Sequence, residues 1–137
     1  MKSTNKYVLM ADDDQEDCLL ATEALSESGA QANISFAEDG IELIEYLLEC
    51  AQSRDKRLPD LILLDLNMPR KDGREALAEI KAKPALKDIP IVIFTTSEDA
   101  RDIELTMREG AESFLTKPDS FEEWVNIMKS LTDKWLG

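Results

Sequence analysis

The 137-residue sequence contains no histidine. That absence excludes histidine-based zinc sites, Ser-His and Cys-His catalysis, and any role as a histidine phosphocarrier. Cysteine is scarce as well. Cys18 and Cys50 lie far apart and form no CxxC or other ligand cluster. Both fall among residues with helical spacing, where free cysteine behaves as a small buried hydrophobe, so a structural role is expected of each. No apolar run approaches the roughly 20 residues needed to span a bilayer. The start, MKSTNKYVLMADDD, breaks into aspartates after a few apolar residues, unlike a signal peptide, and a cytoplasmic location is expected. A basic excess is missing too: 16 Lys and Arg stand against 29 Asp and Glu, a net charge of −13. A nucleic-acid binder would need a basic patch to neutralise phosphates, so that class is disfavoured. Solubility accounts for most of the acidity. A few carboxylates could instead gather around a cation.

What is present is an alternation, five times over, of short apolar runs with amphipathic stretches. Tyr7 to Ala11 (YVLMA) reads as a strand, followed by a helix from about Asp14 to Ser28 that stops at Gly29. Ala32 to Ala37 is a weaker second strand, and a helix runs from Gly40 to Ala51 with Ile41, Leu43, Ile44, Leu47 and Leu48 on its apolar side. After the polar loop QSRDKRLP, Leu61 to Leu66 (LILLDL) is nearly all apolar, as a central parallel strand should be. Asp72-Gly73 opens a helix to Ala82, which Pro84 ends. Ile91 to Thr95 is the fourth strand, with a helix from Glu98 to Glu109 closed by Gly110. Glu112 to Thr116 is the fifth, and Ser120 to Leu136 the last helix. There is no internal repeat or flexible linker, and the length suits one domain. Such alternation implies right-handed βαβ units, hence an α/β fold with a parallel sheet covered by helices on both faces.

Ligands of these sheets bind at the carboxyl ends of the strands. There the first strand delivers Asp12-Asp13-Asp14, the third Asp65 and Asn67, the fourth Thr95-Thr96, and the fifth Lys117-Pro118. Several carboxylates in one pocket repel unless a cation is present. Oxygen ligands of this kind, completed by water and a phosphate oxygen, suit Mg²⁺. Lys117 would supply a fixed positive charge and Thr95 a hydroxyl donor to an anion. Taken singly, most of these residues have plainer explanations. Asp14 is better read as the N-cap of the following helix. Asp12 or Asp13 alone could be a solvated loop charge, Lys117 a surface lysine, and Thr95 a β-branched residue in its favoured strand. Asp65 is different, because it interrupts a run fit for burial and a lone buried carboxylate is expensive.

These residues resemble the receiver domain of two-component response regulators, over essentially the whole chain. PDLILLDLNMPRKDG resembles the phosphorylation-site motif, ADDD the acidic pair after the first strand, IVIFTTS the hydroxyl-bearing end of the fourth, and SFLTKP the lysine-proline end of the fifth. Each motif alone is weak, while four in order at this spacing are specific. The extended loop before the third strand, the NMPRKDG turn, the TTS triplet and the tryptophan-bearing tail most resemble phytochrome-associated single-domain receivers. The resemblance implies a flavodoxin-like (βα)5 doubly wound sheet in strand order 2-1-3-4-5, with residues 1–137 forming a single receiver domain and no output domain. It implies that Asp65 is the phospho-acceptor for a phosphohistidine on a sensor histidine kinase, of phytochrome type by the subgroup resemblance, or on a histidine phosphotransfer protein. Asp13 and Asp65 would bind Mg²⁺ directly, Asn67 through its backbone carbonyl, and Asp12 through water. Thr95 and Lys117 would engage the phosphoryl group, and Phe114 would turn inward as Thr95 moves. The third aspartate leaves two registers for the acidic pair, Asp12-Asp13 or Asp13-Asp14.

Other classes fit these residues less well. An aspartate-nucleophile phosphatase of the haloacid dehalogenase type needs a second acid two residues after the nucleophile, where this chain has Asn67. A receiver-like interaction module that takes no phosphate would have no need of Asp12, Asp13, Asp65, Thr95 and Lys117 together. A flavin carrier would need a Ser/Thr-rich phosphate loop after the first strand, and none is there. A switch rather than an enzyme is therefore expected, at most phosphorylating and dephosphorylating itself. Two finer expectations concern a cis Lys117-Pro118 bond and the last helix. Its Phe121, Trp124, Val125, Met128, Leu131 and Trp135 form an arc wide enough to suggest a homodimer through the fourth helix, fifth strand and fifth helix.

Overall fold

Leu61–Leu64, LILL, is buried at every position, as befits a strand flanked on both edges and covered on both faces. This strand, β3, pairs in parallel with β1 (Tyr7–Ala11) on one side and β4 (Ile91–Thr95) on the other. The outer strands β2 (Asn33–Ala37) and β5 (Ser113–Thr116) complete a five-stranded parallel sheet in the order β2-β1-β3-β4-β5. The computed structural model describes residues 6–137, so the reading of the N-terminus as unlike a signal peptide lies partly outside the described residues.

Alternating side chains of the strands feed two cores. Leu9, Ala11, Ile62, Leu64, Ile91 and Ile93 face helices α2 (Gly40–Gln52) and α3 (Gly73–Ala82). Val8, Met10, Leu61, Leu63, Val92 and Phe94 face α1 (Gln15–Glu27) and α5 (Phe121–Trp135). The remaining helix, α4 (Ala100–Arg108), buries only Thr106. All five helices begin on a side chain that accepts backbone N–H groups: Asp14, Asp39, Asp72, Asp99 and Ser120. Part of the acidity is thus spent on helix starts, and Asp14 has the capping role expected of it.

The structure departs from expectation in several places. The third strand ends at Leu64, so Asp65 lies just beyond the regular ladder, although its N–H still donates to Ala11 O at 3.0 Å. Cys50 is buried, but Cys18 is only half-buried, its thiol facing Asp12 O. Trp124, Met128 and Leu131 belong to the core, with Trp124 edge-on to Phe94 at 5.1 Å, while Phe121 is exposed and Trp135 intermediate. The broad arc on α5 is therefore mostly core. No cis peptide bond occurs among the described residues, so Lys117-Pro118 is trans. The lysine reaches the site without one, because Lys117 N–H donates to Thr95 O at 2.8 Å and the β4–β5 register carries it there.

Candidate functional site

The chain turns sharply after β3 to start α3, and Gly73 makes this possible. A Cβ there would lie 2.1 Å from the carbonyl oxygen of Asp65 and 2.8 Å from Leu66 Cα. Gly73 N–H donates to Leu66 O at 3.0 Å, which fixes the turn against the strand end. Asp65 is thereby held at the carboxyl end of the central strand, 6% exposed.

Its two carboxylate oxygens face different partners. Thr95, fully buried at the end of β4, donates its hydroxyl to Oδ1 at 2.7 Å, and the Asn67 N–H donates to the same oxygen at 3.2 Å. Lys117 Nζ donates to Oδ2 at 3.2 Å. The ammonium lies closer to two other acids, 2.7 Å from Asp12 Oδ2 and 2.6 Å from Asp17 Oδ2. The Asp12 contact is short but poorly directed, so Asp12 Oδ2 is buried without a hydrogen bond. Burial, opposed by Lys117 and the Asp14 N–H and reinforced by the charge of Asp65, pushes the Asp12 carboxyl up to about 6. Burial would lower the Lys117 pKa, but the ion pairs with Asp12 and Asp17 and the charge of Asp65 outweigh it and hold the ammonium protonated.

Asp12, Asp13 and Asp65 each offer a carboxylate oxygen, all within 4.8 Å of one another, with Asp13 exposed to solvent. Three acids against one lysine, one of them carrying a buried oxygen without a donor, form a donor set that suits a hard divalent cation. Asp14 stands outside this group, its carboxylate taken by the N–H groups of Glu16 and Asp17. The sequence-derived residues Asp12, Asp13, Asp65, Asn67, Thr95 and Lys117 are thus brought together. Phe114 is half-buried in β5, packed against the core on the α2 and α3 side.

Two groups escaped the sequence reading. Asp17 lies one helical turn after Asp13, a spacing that could have placed it on the same side of the chain. Arg74 and Asp102 pair across α3 and α4 through two hydrogen bonds of 2.7 and 2.8 Å, and Ser97 Oγ donates to Asp102 Oδ2 at 2.8 Å. No local sequence signal joins those residues.

Comparison with known proteins places this geometry in context. A family model, the response regulator receiver domain, matches residues 8–129. Response regulator Rcp1 of Synechocystis sp. is 34% identical over 131 residues, covering 96% of this chain and 89% of that protein. The phosphorylated cyanobacterial phytochrome response regulator RcpA superposes with a TM-score of 0.87 at 36% identity, covering 98% of this chain and 96% of the other. The Mn²⁺-bound form of Rcp1 gives 0.83 at 34% identity over 96% and 94% of the two chains. Response regulator RPA3017, in red light signalling of R. palustris, gives 0.86 at 30% over 96% and 94%. With its strand order, its clustered strand-end residues and a family match over most of its length, the chain belongs to the response regulator receiver domain family of two-component signalling.

Proposed function

We propose that this chain is a phosphorylation-operated switch in which Asp65 accepts a phosphoryl group from the phosphohistidine of a sensor kinase or phosphotransfer protein, with Mg²⁺ bound. The observation that carries this reading is a buried carboxylate, Asp65, held between the Thr95 hydroxyl and the Lys117 ammonium beside two further acids. An Asp65 oxygen attacks phosphorus, the P–N bond to the imidazole breaks, and the imidazole nitrogen leaves with the electron pair. Held by Asp12, Asp13, Asp65 and the Asn67 carbonyl, Mg²⁺ would supply positive charge against the oxygens of the transferring group. Lys117 offers a second, fixed charge on the opposite oxygen of Asp65, already in place before the donor arrives. Asn67, whose carboxamide neither gives up nor takes up a proton near neutral pH, cannot act as the acid or base of a fast phosphatase, so the reading is a switch and not an enzyme acting on outside substrates.

The Thr95 hydroxyl is spent on Asp65 Oδ1 in this state. Once Asp65 is phosphorylated, the best acceptor for that hydroxyl becomes a phosphoryl oxygen, and Thr95 moves to follow it. Phe114, on the neighbouring strand and only half-buried, then turns inward into the space that Thr95 leaves. The similarity to phytochrome response regulators supports a phytochrome-type kinase as donor. Leu19 on α1, 59% exposed, and Phe121 at the start of α5, 42% exposed, offer that donor an apolar footing. Output is through protein contacts, including a homodimer formed by α4, β5 and α5. The test is labelling with acetyl phosphate or a phosphorylated kinase in Mg²⁺, followed by mapping. Label should fall on Asp65 alone and vanish in Asp65→Asn; equal labelling of that variant would overturn the proposal.

A further inference from the structure

We propose that Asp17 is the positioning residue for Lys117: it anchors the ammonium through the reaction while the other two carboxylates around it change partners. The inference rests on the phospho-acceptor reading and concerns a residue to which that reading gives no part. The lysine has three N–H donors and three carboxylates in reach, those of Asp12, Asp17 and Asp65 at 2.7, 2.6 and 3.2 Å. These neighbours are not equivalent. Asp12 and Asp65 belong to the cation-binding group, and an Asp65 oxygen also becomes the bridge of the new acyl phosphate. When a cation draws on Asp12 and a phosphoryl group occupies Asp65, the lysine's contacts with both carboxylates change. Asp17 lies outside that group and bonds to neither the cation nor the phosphoryl group.

Its placement is rigid. Asp17 sits in the first turn of α1, and its backbone N–H is tied to the Asp14 carboxylate at 3.2 Å. The helix packs against α5 and carries Ala21, Ala24 and Leu25 into the core. Lys117 comes from the far side of the site, a hundred residues on. The pair therefore joins α1 to the end of β5 across the pocket mouth. A four-carbon side chain left without this anchor would have many rotamers to lose when it meets the phosphoryl group. Two opposing effects follow from removing Asp17. Loss of an acid makes the pocket less repellent to an anionic donor, while loss of the anchor leaves the ammonium unplaced. Asp17 is partly solvated, with 18% of its side chain exposed, so the repulsion it contributes is screened. The anchoring effect is the larger.

The rate of phosphorylation by acetyl phosphate at saturating Mg²⁺ tests this in the full chain. Asp17→Ala should slow the reaction by roughly 3- to 30-fold, less than the ~100-fold expected for loss of the charged donor itself. Asp17→Asn, which keeps an acceptor for the lysine, should stay within about 3-fold of the parent. In a Lys117→Ala background, Asp17→Ala should have no further effect, the signature of one residue acting through the other. Mg²⁺ affinity by calorimetry should change less than about 3-fold in Asp17→Ala, and the melting temperature should show the variant folded. Faster reaction in both single variants would make Asp17 a source of repulsion and overturn the proposal. So would an equal slowing by Asp17→Ala with or without Lys117, or a loss of Mg²⁺ affinity as deep as that of Asp13→Ala. A parent protein that takes no label would instead overturn the phospho-acceptor reading itself.

Discussion

Asp65 and Asp12 are both buried acids, yet the protein treats them differently. Asp65 receives two directed donors on Oδ1 and the lysine on Oδ2, so its charge is met from both sides. Asp12 receives the Asp14 N–H on Oδ1 at 2.9 Å, but its Oδ2 has only the misaligned lysine. A buried oxygen without a directed donor costs about 1–3 kcal/mol. A divalent cation bridging Asp12, Asp13 and Asp65 would recover part of that cost and relieve the repulsion among them. Because such an ion binds the folded chain and finds no preformed site in the unfolded one, it should stabilise the fold by mass action. At a hundred times its dissociation constant the gain is about 2.7 kcal/mol. Thermal melts with and without Mg²⁺ should therefore differ by several degrees. The Asp13→Ala variant should melt at nearly the same temperature under both conditions. An undiminished Mg²⁺ shift in that variant would remove Asp13 from the cation site.

At the scale of elements, the site depends on how closely helix starts abut strand ends. In Gly73→Ala the new methyl would collide with the backbone of Asp65, which cannot yield as a flexible side chain would. Overpacking of this kind should cost at least about 2 kcal/mol in denaturant titration and lower the labelling of Asp65 by displacing it. The α3–α4 tie makes a different prediction. Its hydrogen bonds to Arg74 and Ser97, against a modest opposing effect of burial, hold the Asp102 carboxyl below its ordinary range. A lowered folded-state pKa means that the contribution is complete above the unfolded value of about 3.9 and is lost as pH falls through the folded one. The pair is partly exposed and screened, so Asp102→Asn should cost about 1 kcal/mol at neutral pH. That difference from the parent should shrink as the pH is taken below about 4; a penalty independent of pH would mean that charge is not what Asp102 contributes. Neither contact was legible in the sequence, for a shared reason. The strands and helices announce themselves through periodicity and caps, and the strand-end residues Asp12, Asp65, Thr95 and Lys117 follow once the sheet is known to be parallel. Arg74 and Asp102 meet only because α3 and α4 lie side by side, and no local pattern encodes that neighbourhood. The Lys117-Pro118 pair misled for the opposite reason: a local motif suggested a bond geometry that strand register had made unnecessary.

For the whole molecule, the question is whether a chain with a net charge of −13 pairs with its own kind as proposed. The large apolar residues of α5 are mostly spent on the sheet, so the unspent ones lie elsewhere. Ile103, Leu105 and Met107 of α4 are each 40–42% exposed, and α4 buries only Thr106. Separately, Leu115, Ile127 and Trp135 help to line a shallow cavity between β5 and α5. These exposed apolar residues of α4, with the β5–α5 cavity, support the proposed homodimer better than the stripe on α5 from which the sequence suggested it. Two such chains repel at long range, and the repulsion decays over about 10 Å at 0.1 M salt and about 3 Å at 1 M. Apolar contact loses nothing over that range. Association through α4, β5 and α5 should therefore strengthen as salt rises, the opposite of a dimer held by ion pairs. It should strengthen further on phosphorylation, because Thr95 leads directly into the loop before α4 and its movement would carry the helix with it. Light scattering over a range of concentrations, at low and high salt, before and after treatment with acetyl phosphate, reads all of this. Leu105→Asp, which puts a charge on the exposed face at little cost to the fold, should leave the protein monomeric throughout. A parent protein that stays monomeric in every condition, or a dimer that survives Leu105→Asp, would exclude this face as the interface.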